Sequence, residues 1–270
     1  MNKYYVSNYD HNFLNRISEI EFETFKNYKN DLWKFTNLFD CYQNYKQSEI
    51  VVREYLDTID DHQTDNLNEV YRKCKYIFMQ NIMFGRIFID NAKSYCKQLN
   101  RCELERKISE FELLDEVKML KLLRDFGQHF SLPFSNLKIE YSLSDEKTTK
   151  VEPLISIDEL KRNKNGNKQN KLFIQALQEV EVSISSYYEK WSIKIEELYA
   201  LIREDFTSFT DITIRNFIVN NILCYRGSSS NYIPVGLSKA ELLNQNHGFY
   251  RTVEFIPFDE LALLDLFSEK

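Results

Sequence analysis

The stretch from Lys121 to Phe134 reads KLLRDFGQHFSLPF, and Arg124, Asp125, Gln128 and His129 stand in it among leucines and phenylalanines. Histidine titrates near neutrality and can take or give a proton. Arginine carries a permanent charge on a planar fork that matches phosphate oxygens better than a lysine does. An aspartate beside them can orient an imidazole or a guanidinium, and a glutamine amide can donate to a phosphate oxygen. These are the groups needed to cleave RNA without a metal. One group moves the proton of the 2′-hydroxyl or of the leaving 5′-oxygen, and a cation stabilises charge building on the phosphorus oxygens. The chain has four histidines, and His11, His62 and His247 lack Cys, His or carboxylate partners at ligand spacing, so no metal site or cofactor is expected. No Asp/Glu cluster flanks the motif at a spacing suited to two magnesium ions, so the nucleophile must come from the substrate, and only RNA offers a 2′-hydroxyl.

The helix that must position these residues is amphipathic. With Leu123 at zero degrees and roughly 100 degrees per residue, Leu120, Phe126 and Phe130 fall within roughly 60 degrees of it and form the apolar stripe. Arg124, Asp125, Gln128 and His129 occupy the opposite arc, and Pro133 ends the helix by forcing Leu132 out of the α region. Arg124 and His129 are splayed by about 140 degrees and separated by about 7.5 Å of rise, so one helix cannot easily bring both to one small group. A second copy of the helix across a two-fold axis would.

Other segments supply the frame. Apolar or small residues from Leu67 to Leu99 recur at helical spacing, with Gly85 in the stripe marking a close helix approach. The pattern repeats from Leu104 to Phe130, and again from Phe173 through Leu177, Val180, Ile184, Tyr188, Trp191, Ile195 and Leu198 to Ile202, which predicts one long core helix. A short helix is expected over Ile212 to Leu223. Between the motif and the last long helix the period changes to two, with Leu137, Ile139, Tyr141 and Leu143 answered by Val151, Ile155 and Ile157, and this predicts a β-hairpin. The Lys/Asn-rich stretch from Lys161 to Lys171 reads as a basic loop whose Lys161, Arg162, Lys164 and Lys168 could steer RNA phosphates, although a solvated loop would look the same. Cys224 to Gly236 reads as a loop, RTVEFIPF as a short β-like run, and a terminal helix follows from Asp259.

Composition agrees with a mainly α chain, because six glycines and four prolines in 270 residues leave little turn punctuation. A net charge of −6 argues against a protein that coats nucleic acid through a basic surface. Five cysteines with no C-x-x-C pair read as reduced thiols. The N-terminus has no apolar run of signal-peptide type, and the stretch from Tyr76 to Ile89 is too short for a bilayer and is interrupted by Gln80, Asn81 and Arg86. A cytoplasmic protein with no membrane segment is expected. Residues 1–270 read as a single helical domain, with a hairpin insertion over 131–157 and a C-terminal β/α extension over 224–270.

The spelling Arg124, Asp125, Phe126, Gly127, Gln128, His129, near the end of a helix in a helical protein, resembles the signature of the HEPN superfamily (higher eukaryotes and prokaryotes nucleotide-binding). In that signature an arginine is followed by Asn, Asp or His, then three residues, then histidine. The resemblance spans the motif and its helical context, from residue 66 to 205. It implies a HEPN-like helical bundle and a metal-independent endoribonuclease with Arg124, Asp125 and His129 as its catalytic residues. It also implies a homodimer with facing motifs and a role in toxin-antitoxin or antiphage defence (abortive infection), beside an antitoxin or defence-system partner. Related sequences break the helix with H-x-G-L-P, and here HFSLP keeps Leu132 and Pro133 but has Ser131 in place of glycine. Two alternatives stay open: a catalytically inactive HEPN-like dimerisation or partner-docking module, and an all-α adaptor in which the motif is coincidental.

Overall fold

Helices make up most of the chain. The computed structural model describes residues 2–10, 12–61, 66–129, 132–141, 149–162, 168–225, 235–242, 250–258 and 260–267. The elements are β1 (Asn2–Asn8), β2 (Phe13–Ile17), α1 (Glu19–Asp61), α2 (Leu67–Gln98), α3 (Cys102–Phe111), α4 (Asp115–His129), β3 (Phe134–Tyr141) and β4 (Thr149–Ser156). They continue with α5 (Ile157–Lys161), α6 (Lys168–Ala176), β5 (Glu181–Ser183), α7 (Ile184–Ser208), α8 (Ile212–Asn221), a 3₁₀ turn (Leu223–Tyr225), β6 (Val235–Leu242), β7 (Tyr250–Pro257) and α9 (Glu260–Phe267). His11, His62, Phe130, Ser131, Lys164 and His247 lie outside the described residues.

Contacts along the chain fall into two units, residues 1–39 with 203–270 and residues 40–202. In the first, an antiparallel sheet runs β2-β1-β6-β7, so the strand nearest the N-terminus pairs with the C-terminal extension. Gly236 sits where β6 crosses β7 so closely that a Cβ would lie 2.3 Å from the Ile256 carbonyl oxygen. Phe22, Phe25, Phe35, Phe206 and Phe217 give its core an aromatic character, with Leu32 buried among the core residues and the Phe25 and Phe217 rings stacked at 3.5 Å between centroids. The expected β-like run is β7, and α8 and α9 follow the sequence reading.

The second unit contains the motif. A Cβ on Gly85 of α2 would meet Ile195 of α7 at 3.1 Å, Tyr45 of α1 at 3.3 Å and Leu120 of α4 at 3.4 Å, so three helices converge on that glycine. The close approach inferred from the stripe is present. Asn66 caps the start of α2 by accepting from the Glu69 amide, and its end closes with Asn100 at φ 55° and the Arg101 amide donating to the Cys96 carbonyl.

Three sequence expectations change. The stripe from Leu104 to Phe130 is two helices, α3 and α4, broken at residues 112–114. At the break Leu113 and Leu114 turn outward, while the Glu112 carboxylate reaches back to Arg86 and Lys93 of α2. The long helix expected from Phe173 to Ile202 is likewise interrupted. Residues 181–183 leave helical geometry to form β5, whose pairing with β4 satisfies backbone groups on that strand's second edge, and the Ser183 hydroxyl then caps α7 by accepting from the Ser186 amide. Finally, Lys168 to Lys171 are not loop but the first turn of α6. The hairpin stands as expected, β3 against β4 with Leu137 opposite Pro153, and β5 reaches only Leu154 to Ser156, so the proline has no partner on that side.

Candidate functional site

Arg124, Asp125, Gln128 and His129 all lie in α4, and His129 is its last residue. Leu120 and Leu123 are fully buried and Phe126 nearly so, with Met119 and Leu122 beside them, so the apolar stripe faces the core as predicted. Arg124 and Asp125 are partly exposed and Gln128 is exposed. The side chain of His129 is not among those described.

The Arg124 guanidinium is gripped from two elements. Its Nη2 donates to Asp90 Oδ2 of α2 at 3.2 Å, and its Nη1 donates to Gln128 Oε1 one turn along α4 at 3.3 Å. The Gln128 amide nitrogen is left to point elsewhere. Arg124 Nε stands 3.3 Å from Asp125 Oδ1, but without the alignment of a hydrogen bond, and this nitrogen has no hydrogen-bond partner among the described residues. Asp125 therefore acts on Arg124 as a charge rather than as an acceptor.

Asp90 is shared. Its Oδ1 accepts from Arg86 Nη2 at 2.6 Å, while Arg86 Nη1 and Nη2 also donate to Glu112 Oε1 at 3.2 and 3.1 Å, and Lys93 bonds to Glu112 Oε2. Arg86 is 2% exposed, the most deeply buried cation in this chain of pairs. Burial works against the charged form of Glu112, but the Lys93 hydrogen bond and the Arg86 and Lys93 charges outweigh it and hold its carboxyl below the ordinary glutamate value. Arg86, Lys93 and Arg124 thus alternate with Asp90, Glu112 and Asp125. The arrangement carries no excess positive charge within one protomer, and it meets solvent at Asp90, Lys93, Arg124 and Asp125 while Arg86 and Glu112 lie inside.

The sequence missed Asp90, Arg86 and Glu112 as parts of this site. A signal was visible: Arg86 and Asp90 are an arginine and an aspartate one helical turn apart, in a stretch that is otherwise apolar, and an unpaired charge is not buried there. Of the proposed RNA-binding cations, Lys161 pairs with Asp158 at 3.4 Å and Arg162 with Glu159 at 3.7 Å, both exposed, while Lys168 opens α6. Neither Lys161 nor Arg162 bonds to the Arg124 cluster among the described residues. Phe173 of α6 lies under Lys118 at 5.5 Å, in the first turn of α4 and about 9 Å of helix rise before Arg124. Helix α6 is therefore anchored toward the far end of α4 from His129.

Gly127 lies inside the motif, and a Cβ there would meet Met79 Cε at 2.2 Å and Sδ at 2.8 Å. The obstruction is the free end of a flexible side chain, which can swing away. Gly127→Ala should therefore fold and keep its thermal midpoint or raise it slightly, since alanine is better than glycine in a helix by about 1 kcal/mol. A clear loss in thermal unfolding would show that Met79 is locked in place.

No protein-family model, curated protein or solved structure matches this chain. No helix among the described residues is long and apolar enough to cross a membrane.

Proposed function

We propose that the chain is a HEPN-like, metal-independent endoribonuclease, acting as a toxin or antiphage-defence effector. The observation that carries the reading is the placement of Arg124. An arginine with no part in the apolar core is held at the solvent edge of α4 by Asp90 and Gln128, five residues before the histidine that closes the helix. Two carboxylates near the guanidinium fix its direction without burying it, so it is oriented before a substrate arrives. A phosphate displaces Gln128 Oε1 from Nη1 and receives the glutamine amide in exchange. His129 moves the proton, the 2′-hydroxyl attacks the phosphorus and the 5′-oxygen leaves, giving a 2′,3′-cyclic phosphate and a 5′-hydroxyl.

One protomer offers charges that cancel and a single Arg–His pair splayed along a helix. We therefore place the active form as a two-fold dimer with motif helices facing, an isologous contact of at least roughly 1,000 Å². A second reading, an inactive dimerisation or docking module, draws on the fact that both terminal nitrogens of Arg124 already have protein partners.

Incubation of the purified protein with single-stranded RNA separates the two. Cleavage should persist in EDTA, spare DNA and leave cyclic phosphate ends, and His129→Ala and Arg124→Ala should each lower the rate by a factor on the order of 100 while remaining folded. Loss of cleavage in EDTA, attack on DNA or full activity in His129→Ala defeats the mechanism. Absence of any cleavage by a light-scattering dimer leaves the docking module as the better description.

A further inference from the structure

We propose that a cleft between the second half of α1 and the first half of α7 binds an aliphatic polyamine. The cleft encloses about 670 Å³, within the range of about 300–1,000 Å³ usual for small-molecule sites, and it is formed within the unit of residues 40–202. Helical spacing builds both walls, with Lys46, Glu49, Arg53 and Asp57 three or four residues apart on α1, and Ser185, Glu189, Ser192 and Glu196 on α7.

The floor is polar. The Glu49 side chain is 5% exposed and accepts from Lys46 at 2.5 Å and from Arg53 at 2.6 Å, and Lys46 also bonds to Glu196. Burial disfavours the Lys46 ammonium, but Glu196 and Glu49 outweigh it and hold its pKa above the ordinary lysine value. Beneath this lies a buried relay in which the Tyr45 and Ser192 hydroxyls are 2.8 Å apart and the Tyr188 hydroxyl donates to the Glu49 carbonyl at 3.2 Å.

The charges select the ligand. Both lining cations are engaged by Glu49 and Glu196, which leaves Asp57 and Glu189, exposed at the rim and without an ion pair or hydrogen bond among the described residues. An anion meets surplus negative charge. A compact metal ion finds no group of three or more ligating side chains among the described residues. A chain of methylenes between ammonium groups meets both features, its charges at Asp57 and Glu189 and its apolar stem along Leu56, Val151 and Ile193.

Calorimetric titration of the full chain with spermidine at low ionic strength tests this. One saturable site is expected, with Asp57→Asn and Glu189→Gln each weakening binding about threefold, and the pair about tenfold. The control removes the same net charge elsewhere, with Glu179→Gln and Glu204→Gln, and should bind as the parent does; Arg124→Ala should too, since this site is independent of the motif. The absence of a saturable site, an equal loss in the control pair, which marks diffuse counterion attraction, or tighter binding of glutamate than of spermidine overturns the proposal.

Discussion

Trp191→Ala should lower the stability of the protein by about 5 kcal/mol, a large part of the roughly 5–15 kcal/mol that holds a folded chain together. Trp191 is fully buried in α7 and packs edge-on against Tyr188 at 6.1 Å between centroids. Removing the indole leaves a cavity, which alone costs about 3–5 kcal/mol. It also strands a polar group, because the indole N–H donates at 3.1 Å to Oδ1 of Asn81, a residue with no exposed surface. An unpaired buried carbonyl adds about 1–3 kcal/mol. The two contributions separate experimentally. Trp191→Phe removes the donor and keeps most of the ring, so chemical denaturation should show an intermediate loss. Adding Asn81→Leu to Trp191→Phe should then recover part of it, since the stranded acceptor is gone, although Asn81 also donates to Ser48 at 3.2 Å. A double substitution no more stable than Trp191→Phe would show that the hydrogen bond is not what Trp191 supplies beyond its volume.

The sequence showed those elements whose apolar residues face a single side. Helices α2, α4 and α8 and the hairpin β3–β4 have one buried face each, and a period of 3.6 or 2 reports that directly. Helix α1 does not declare itself in the same way. Ile20, Trp33 and Ile50 are exposed on it while Phe22, Leu32 and Val52 are buried, so apolar residues lie on both sides and the stripe blurs. Strands β1 and β6 are hard to read for another reason. Ser7 and Ser238 are fully buried, opposite Gly236 and Tyr5, in a sheet that pairs residues 2–8 with residues 235–241, and local alternation carries no record of so distant a neighbour. The helix expected across residues 177–183 fails because backbone pairing with β4 outweighs local preference there.

The candidate site was legible on one helix only. Spacing along α4 gives the shared face of Arg124, Asp125 and Gln128, but nothing local says that Asp90, 34 residues earlier, accepts from Arg124. Such a partner is a product of how α2 packs on α4, which Gly85 permits by letting Leu120 come close.

Arg86→Met tests whether this packing depends on charge, and it should lower stability by about 2 kcal/mol, because Glu112 loses the hydrogen bonds of a buried cation and keeps only Lys93. The loss falls mainly on Glu112, whose side chain is 15% exposed against 48% for Asp90. Its pH dependence follows from Glu112. A carboxyl held below its ordinary value of 4.5 stabilises the fold fully above that value, and the contribution disappears as pH falls through the folded-state pKa. In Arg86→Met only Lys93 remains to depress it, so the gap between parent and variant should be widest at neutral pH and should narrow below pH 4.5. Glu112→Leu placed on Arg86→Met should restore much of the stability, since an apolar pair of similar volume needs no counter-charge, and Lys93 is exposed enough to be solvated. Denaturation curves of the three proteins at pH 7 and near pH 4 decide the matter. A gap that does not change with pH would mean that Arg86 contributes through its packing, and that Asp90 holds Arg124 without help from the buried pair.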